Sequence, residues 1–386
     1  MRAPGRGPDV LRLPALLAPL ALLTLLTLLT LVTLLTLLAV TVAGAPASVR
    51  ARAASPPARF LSVWLPYWNM SAAGSSALAH ANQIATASPV WYTVSAGGVV
   101  TAAAGAGDGS LVAALRTRGV AVVPTVNESA GLQAFNRMLA SPTARARVVR
   151  ALVGIAKTPG YAGVDLDFEE FAIDPQDDVA AADAAAAGYP RLVAELCPAL
   201  HAIGRTCIVT VMPRVSAAPV LWRGRFATWV YDYAALGAVA DRIRIMAYDE
   251  HAPDTPPGPV APYQWVNRVI AFARSQFPLG RAELGLAAYG YTWGPGGDAT
   301  FPAVDAAALA ASHGVQPAWS AAEQEETFSY GGPRHRTVAW YEDARADLVR
   351  ERLAAADGFA GVALWAAGDE TPALWSDAAS VASTDR

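Results

Sequence analysis

Three acids stand at every second position of the stretch GVDLDFEEF: Asp165, Asp167 and Glu169, each flanked by apolar residues. In an extended strand, side chains at i, i+2 and i+4 point to one face, about 6–7 Å apart from step to step. Asp165, Asp167 and Glu169 then share one face, and Leu166, Phe168 and Glu170 the other. Close carboxyls in a poorly solvated place cannot all ionise cheaply, so at least one should keep a proton near neutral pH. Such a carboxyl is equipped for general acid catalysis. The spacing alone also fits an edge strand with one solvated acidic face, or a divalent-metal site. Glu170, on the opposite face, reads as a contact between a barrel strand and a helix.

Placing these acids takes a buried strand with neighbours on both sides. Continuous apolar runs at Leu61–Tyr67, Pro89–Val94, Val120–Val126, Gly163–Phe168, Cys207–Met212, Arg242–Ala247, Glu283–Tyr289 and Gly361–Trp365 read as strands buried on both faces. Helical patterns lie between many of them, at Ser110–Arg118, Ser141–Ala156, Tyr189–Ile203, Pro262–Gln276 and Ala344–Ala355. Eight strands with intervening helices predict an α/β fold, a (β/α)8 TIM barrel whose catalytic residues project from the C-terminal strand ends. A doubly wound sheet is the alternative, because a count does not show closure. Residues 172–188 read as an acidic, Ala-rich loop after the fourth strand. Residues 294–340 read as a small α+β insertion between the seventh strand and the last helix. Trp64 and Trp68 read as core packing rather than a sugar platform.

GVDLDFEE resembles the fourth-strand signature of glycoside hydrolase family 18, the chitinase-like family, written D-x-x-D-x-D-x-E. Asp165, Asp167 and Glu169 match its last three acids, and Ala162 stands where the first would be. Met246-Ala-Tyr-Asp249 is similar to the M-x-Y-D at the end of that family's sixth strand, and Trp365 to its eighth-strand tryptophan. Asp249-Glu-His251 with Pro257-Gly-Pro-Val-Ala-Pro262, then Tyr289-Gly-Tyr-Thr-Trp293 and Ala339-Trp-Tyr-Glu-Asp343, resemble the bacterial spore-germination, cortex-lytic branch. The resemblance spans roughly residues 61–375. It implies that Glu169 protonates the glycosidic oxygen and then activates water, while the substrate's own 2-acetamido group attacks the sugar. Asp167 would hold the acetamido N–H, Asp165 would share a proton with Asp167, and Tyr248 would donate its hydroxyl to the acetamido carbonyl. Trp365 would floor the sugar site, with Tyr67, Met246, Asp249 and Tyr289 lining it. The implied substrate is a glycan, either peptidoglycan or chitin-like. A catalytically silent glycan-binding barrel is the competing expectation.

The chain has 386 residues, 54% of them hydrophobic and 16% charged, enough for a sizeable core. Residues 13–49 carry no charge, and Leu16–Leu38 is a run of Leu-Leu-Thr repeats preceded by Arg2, Arg6 and Arg12. Small-residue cleavage candidates follow at Ala43-Gly-Ala45 and Ala45-Pro-Ala47. Residues 1–47 therefore read as a signal peptide or a signal anchor, since about 20 apolar residues suffice to span a bilayer. Residues 48–59 read as a linker, and 60–386 as the catalytic barrel. The expected location is extracytoplasmic, secreted or anchored to the cell membrane. With the five arginines and one aspartate of residues 1–54 set aside, 24 basic and 31 acidic residues remain, a net charge near −7. That argues against nucleic acid as a partner. Lys157 is the single lysine, which excludes a polybasic membrane patch. Cys197 and Cys207 are too few for a four-cysteine metal site; they read either as a disulfide or as two small buried residues. No metal or cofactor is expected, and the protein is expected to be a monomer.

Overall fold

The eight apolar runs become the staves of a closed barrel. The structure, a computed structural model, describes residues 60–173 and 178–376. The expected signal or anchor segment and the linker lie outside them. In chain order the strands are β1 (Leu61–Pro66), β2 (Ile84–Val94), β3 (Val100–Ala102), β4 (Ala121–Val122), β5 (Thr125–Glu128), β6 (Gly163–Asp167), β7 (Thr206–Val211), β8 (Arg242–Ile245) and β9 (Ala282–Ala287). They continue with β10 (Tyr289–Trp293), β11 (Ala299–Pro302), β12 (Ala318–Ser320), β13 (Glu325–Tyr330), β14 (Thr337–Tyr341) and β15 (Gly361–Trp365). Parallel pairing runs β1-β2-β5-β6-β7-β8-β9-β15 and returns from β15 to β1. Closure decides for the (β/α)8 barrel over the doubly wound sheet.

The third stave departs from its expected extent. Pro124 has no N–H to give to a ladder, so the run Val120–Val126 splits into β4 and β5. After the break β5 resumes beyond Val126, to Glu128, and carries Asn127 and Glu128 to the C-terminal mouth. Its register against β6 sets Thr125 opposite Asp165 and Asn127 opposite Asp167. Gly163 opens β6 because the strands press together there: a Cβ would meet the Thr206 carbonyl oxygen at 2.1 Å.

The segment 172–188, read as a loop, is helical from Val179 onward. The helix Val179–His201 starts ten residues before the expected Tyr189. Alanine is the strongest helix former, and Asp178 caps the start by accepting from the Ala181 N–H at 2.9 Å. Cys197 on this helix and Cys207 on β7 form a disulfide with Cα atoms 5.3 Å apart. Between β9 and the helix Ala344–Ala356, residues 289–341 build an antiparallel sheet in the order β11-β10-β14-β13-β12, with the helix Ala306–Ser312. Phe301, Phe328 and Tyr341 fill the small core of this insertion.

Inside the barrel, below its mouth, lies a buried polar layer. Arg244 on β8 donates from Nη1 to Asp165 Oδ2 at 3.0 Å and to Ser88 Oγ at 2.7 Å. Its Nε donates to Glu283 Oε2 at 2.6 Å, and the Ser62 hydroxyl donates to Glu283 Oε1 at 3.0 Å. Arg244 and Asp165 are both without solvent exposure. Pairing of this kind is what keeps charges tolerable in a barrel interior.

Candidate active site

Asp167 ends β6 with its side chain at the mouth. The Asn127 amide reaches across from β5 and donates at 3.1 Å both to Asp167 Oδ2 and to the Asp167 carbonyl oxygen. Asp167 Oδ1 is buried without an N–H or hydroxyl donor among the described residues, and the Asp167 carboxyl shares a hydrogen bond with that of Glu169. Burial, then the charges of Glu169 and Asp165, hold the Asp167 carboxyl well above the usual range.

Glu169 follows two residues later, although the strand has already ended. Its backbone (φ −125°, ψ −34°) turns into the short 3-10 segment Glu170–Ala172. The turn keeps Glu169 beside Asp167 but leaves Glu170 exposed to solvent, not packed between strand and helix as the alternation predicts. Glu128 holds this turn from β5: Oε2 accepts from the Glu169 N–H at 2.9 Å and Oε1 from the Phe171 N–H at 2.7 Å. Burial, then the negative charges of Glu128 and Asp249, push Glu169 up to about 7, against a lowering contact with Asp167.

Tyr248 and Asp249 follow β8. Asp249 sits at φ 65°, a left-handed conformation that Asp tolerates better than most residues. Its Oδ1 accepts from the hydroxyls of Tyr289 at 2.6 Å and Tyr291 at 2.8 Å, and its carbonyl accepts from Arg223 Nη1 at 3.0 Å. Gly285 on β9 makes room for the Tyr248 ring, since a Cβ there would come within 2.9 Å of it.

These side chains surround a cavity of about 340 Å³, in the size range of small-molecule sites. Asp167, Glu169, Met246, Tyr248, Asp249, Tyr289 and Trp365 all line it. Two expected residues do not. Tyr67 is absent from the lining and 48% exposed, because β1 gives way at Pro66 to the 3-10 turn Tyr67–Asn69 and the two-residue alternation ends. Trp68 takes the cleft position instead. It is 63% exposed, with its ring centroid 6.1 Å from that of Trp365, so reading it as core packing was incorrect; Trp64, at 1%, is core.

Asp165 lies beneath the cavity rather than in its lining. Its Oδ2 accepts from Trp64 Nε1, Thr125 Oγ1 and Arg244 Nη1 at 2.9–3.0 Å, and its Oδ1 from Thr210 Oγ1 at 2.8 Å. Held by these donors, Asp165 bears on Asp167 as a negative charge close below it. Asn127, Glu128 and Asp369 are site residues that the motifs did not mark, and Tyr291 lay within a quoted motif without being singled out. A smaller notch of about 70 Å³ opens past Glu169, lined by Met212, Trp222, Arg223 and Phe226 among others.

Carboxyls and a tryptophan lining one cavity at the C-terminal mouth of a closed parallel barrel occupy the place where (β/α)8 enzymes carry their active sites. Residues 110–370 match the sequence model of the glycosyl hydrolases family 18, and the chain belongs to that family. It is 29% identical over 244 residues to an uncharacterized glycosylase, YvbX, of Bacillus subtilis, covering 62% of this chain and 67% of that protein. It is 28% identical over 247 residues to the cortical fragment-lytic enzyme of Bacillus anthracis, covering 62% of this chain and 54% of that one. The chain thus spans about half to two thirds of these curated relatives. Among solved structures, a chitinase from Chromobacterium violaceum ATCC 12472 superposes with a TM-score of 0.72 at 28% identity, over 84% of this chain and 99% of that one.

Proposed function

We propose that this family 18 member is an exported glycoside hydrolase that cleaves β-1,4 bonds at N-acetylglucosamine units by substrate-assisted, retaining catalysis. One observation carries the reading. The buried carboxyls of Asp167 and Glu169 meet in one sugar-sized cavity, both held above the usual range, and Asp167 Oδ1 has no N–H or hydroxyl donor among the described residues. An acetamido N–H is a donor that this oxygen can take.

With the sugar over Trp365, Glu169 gives its proton to the glycosidic oxygen and the C1–O bond breaks. The acetamido carbonyl oxygen forms the new bond to C1, and the resulting oxazolinium charge is opposed by Asp167. The Tyr248 hydroxyl donates to the acetamido carbonyl and orients it. Glu169, now a carboxylate, takes a proton from the water that attacks C1 while the C1–O bond to the acetamido oxygen breaks, and the two successive inversions retain the anomer.

Peptidoglycan is the favoured substrate, because relatives include cortical fragment-lytic enzymes. Chitin-like glycans are the second reading, favoured by similarity to a chitinase along nearly its whole length. The apolar segment at residues 13–49 supports export, with the barrel either released or held at the membrane surface. The purified protein, incubated with muropeptides and with chitooligosaccharides and assayed by mass spectrometry, is expected to yield muropeptide products ending in reducing N-acetylglucosamine. Binding without products from either glycan would identify a silent glycan-binding barrel.

A further inference from the structure

The mechanism leaves one buried acid of the site unused. Glu128 is 4% exposed, does not itself line the cavity, and spends both carboxyl oxygens on backbone N–H groups of the turn that carries Glu169. Its neighbours on the same strand do parallel work on β6. Thr125 donates to Asp165 and Asn127 to Asp167, so three side chains of β5 hold the three acids in turn. The third case differs in kind: Glu128 grips the main chain instead of the side chain, which leaves the Glu169 carboxyl free to meet the substrate.

We propose that Glu128 is a positioning residue that clamps the Glu169–Phe171 backbone and thereby aims the Glu169 carboxyl at the glycosidic oxygen. The inference rests on the glycosidase reading for its consequence, though not for its geometry. A buried carboxyl is a costly way to bind two N–H groups. Its negative charge, however, also bears on the acid it holds. The groups facing Glu169 are Glu128 from β5, Asp167 from β6, Glu170 in the same turn, and Tyr248 and Asp249 after β8, with Tyr231 behind the turn. Tyr231 donates its hydroxyl to the Phe168 carbonyl at 2.6 Å. Tyr189, on the helix Val179–His201, faces Glu128. Burial raises Glu128 to about 8, so its charge develops over the pH range in which Glu169 titrates and opposes that ionisation, while Arg223, the cation in the notch past Glu169, is engaged by the Asp249 carbonyl. Removing that charge lets Glu169 lose its proton at lower pH.

Glu128→Gln keeps the size, loses the charge, and turns an amide N–H₂ toward one backbone N–H. The alkaline limb of its kcat–pH profile is expected to move to lower pH. At the optimum kcat should fall at least about tenfold, because a small misplacement of a catalytic group costs that much or more, while KM changes less than about twofold. A purely structural residue would lower active enzyme without moving the limb. The second measurement needs no substrate: in the unmodified protein, the amide protons of Glu169 and Phe171 should titrate together in NMR spectra with a shared midpoint. An unshifted alkaline limb in Glu128→Gln, or two amides that titrate independently, would overturn the proposal. If the unmodified enzyme cleaves no glycan, the function reading fails and the amide titration still decides the role of Glu128.

Discussion

Glu169 holds a proton near neutral pH because burial and the charges of Glu128 and Asp249 oppose its ionisation. Asp167 beside it is also raised, by burial and then by the charges of Glu169 and Asp165, so the pair does not carry two full charges before substrate arrives. This division of labour needs only one transferable proton, on the group nearest the leaving oxygen. Glu169→Gln preserves the shape and removes that proton. Hydrolysis of a substrate with a poor leaving group is expected to fall at least about 100-fold, the usual scale for acid–base catalysis, while glycan binding measured by calorimetry persists. Near-normal turnover would remove Glu169 from the role of acid.

At the scale of elements, the site is a property of paired strands more than of one motif. The β5–β6 register aligns Thr125 and Asn127 with the acids they bind, and Arg244 on β8 anchors Asp165 from below. Arg244→Met leaves Asp165 and Glu283 buried without their shared cation. The expected loss is about 3–5 kcal/mol, typical when one partner of a buried pair is removed, read as a lower midpoint in urea denaturation. A variant as stable as the parent would show that the layer is not held by charge pairing. This dependence on pairing also explains what the bare sequence discloses. Eight staves are legible because strands buried on both faces read as unbroken apolar runs, and Asp167, Tyr248 and Trp365 sit at or just beyond their ends, with Asp165 one step inside. Asn127 and Glu128 escaped because the apolar run ends at Val126, although the strand continues through both. Their signal was present as two polar residues directly after an apolar run, one stave before the acids. Trp68, Tyr291 and Asp369 approach the cavity from a turn, the insertion and a late loop, and no spacing in the chain connects them.

Across the whole molecule, the barrel carries more buried acid than buried base. Where the insertion meets the helix Ala344–Ala356, Glu325 accepts from the Val260 and Ala261 N–H groups at 2.8 and 2.7 Å and from Arg350 Nη2 at 3.0 Å. Arg350 also pairs with Glu342, and buried Asp347 lies nearby. Burial, then the charge of Glu342, raises Glu325 from an ordinary 4.5 to about 8, although Arg350 and the backbone bonds lower it. Burial likewise lifts Glu128 to about 8 against its two backbone bonds. The folded chain therefore binds these protons more tightly than the unfolded chain does. Stability from this source is complete below about pH 4.5 and is lost as pH rises toward 8. The melting temperature is expected to be higher at pH 5.5 than at pH 8. A rise in melting temperature over that interval would mean that these carboxyls are ionised in the folded protein at little cost.

The central claim is that Asp167 and Tyr248 present an acetamido nucleophile to C1 while Glu169 moves the proton. It is tested most directly by comparing initial rates on one oligosaccharide in its N-acetylated and N-deacetylated forms, with the product anomer followed by NMR in the first minutes. The amine cannot form the oxazolinium ring, so the deacetylated sugar is expected to be nearly inert and the acetylated one to give the retained β-anomer. Efficient cleavage of the deacetylated form, or an inverted product, would contradict the account.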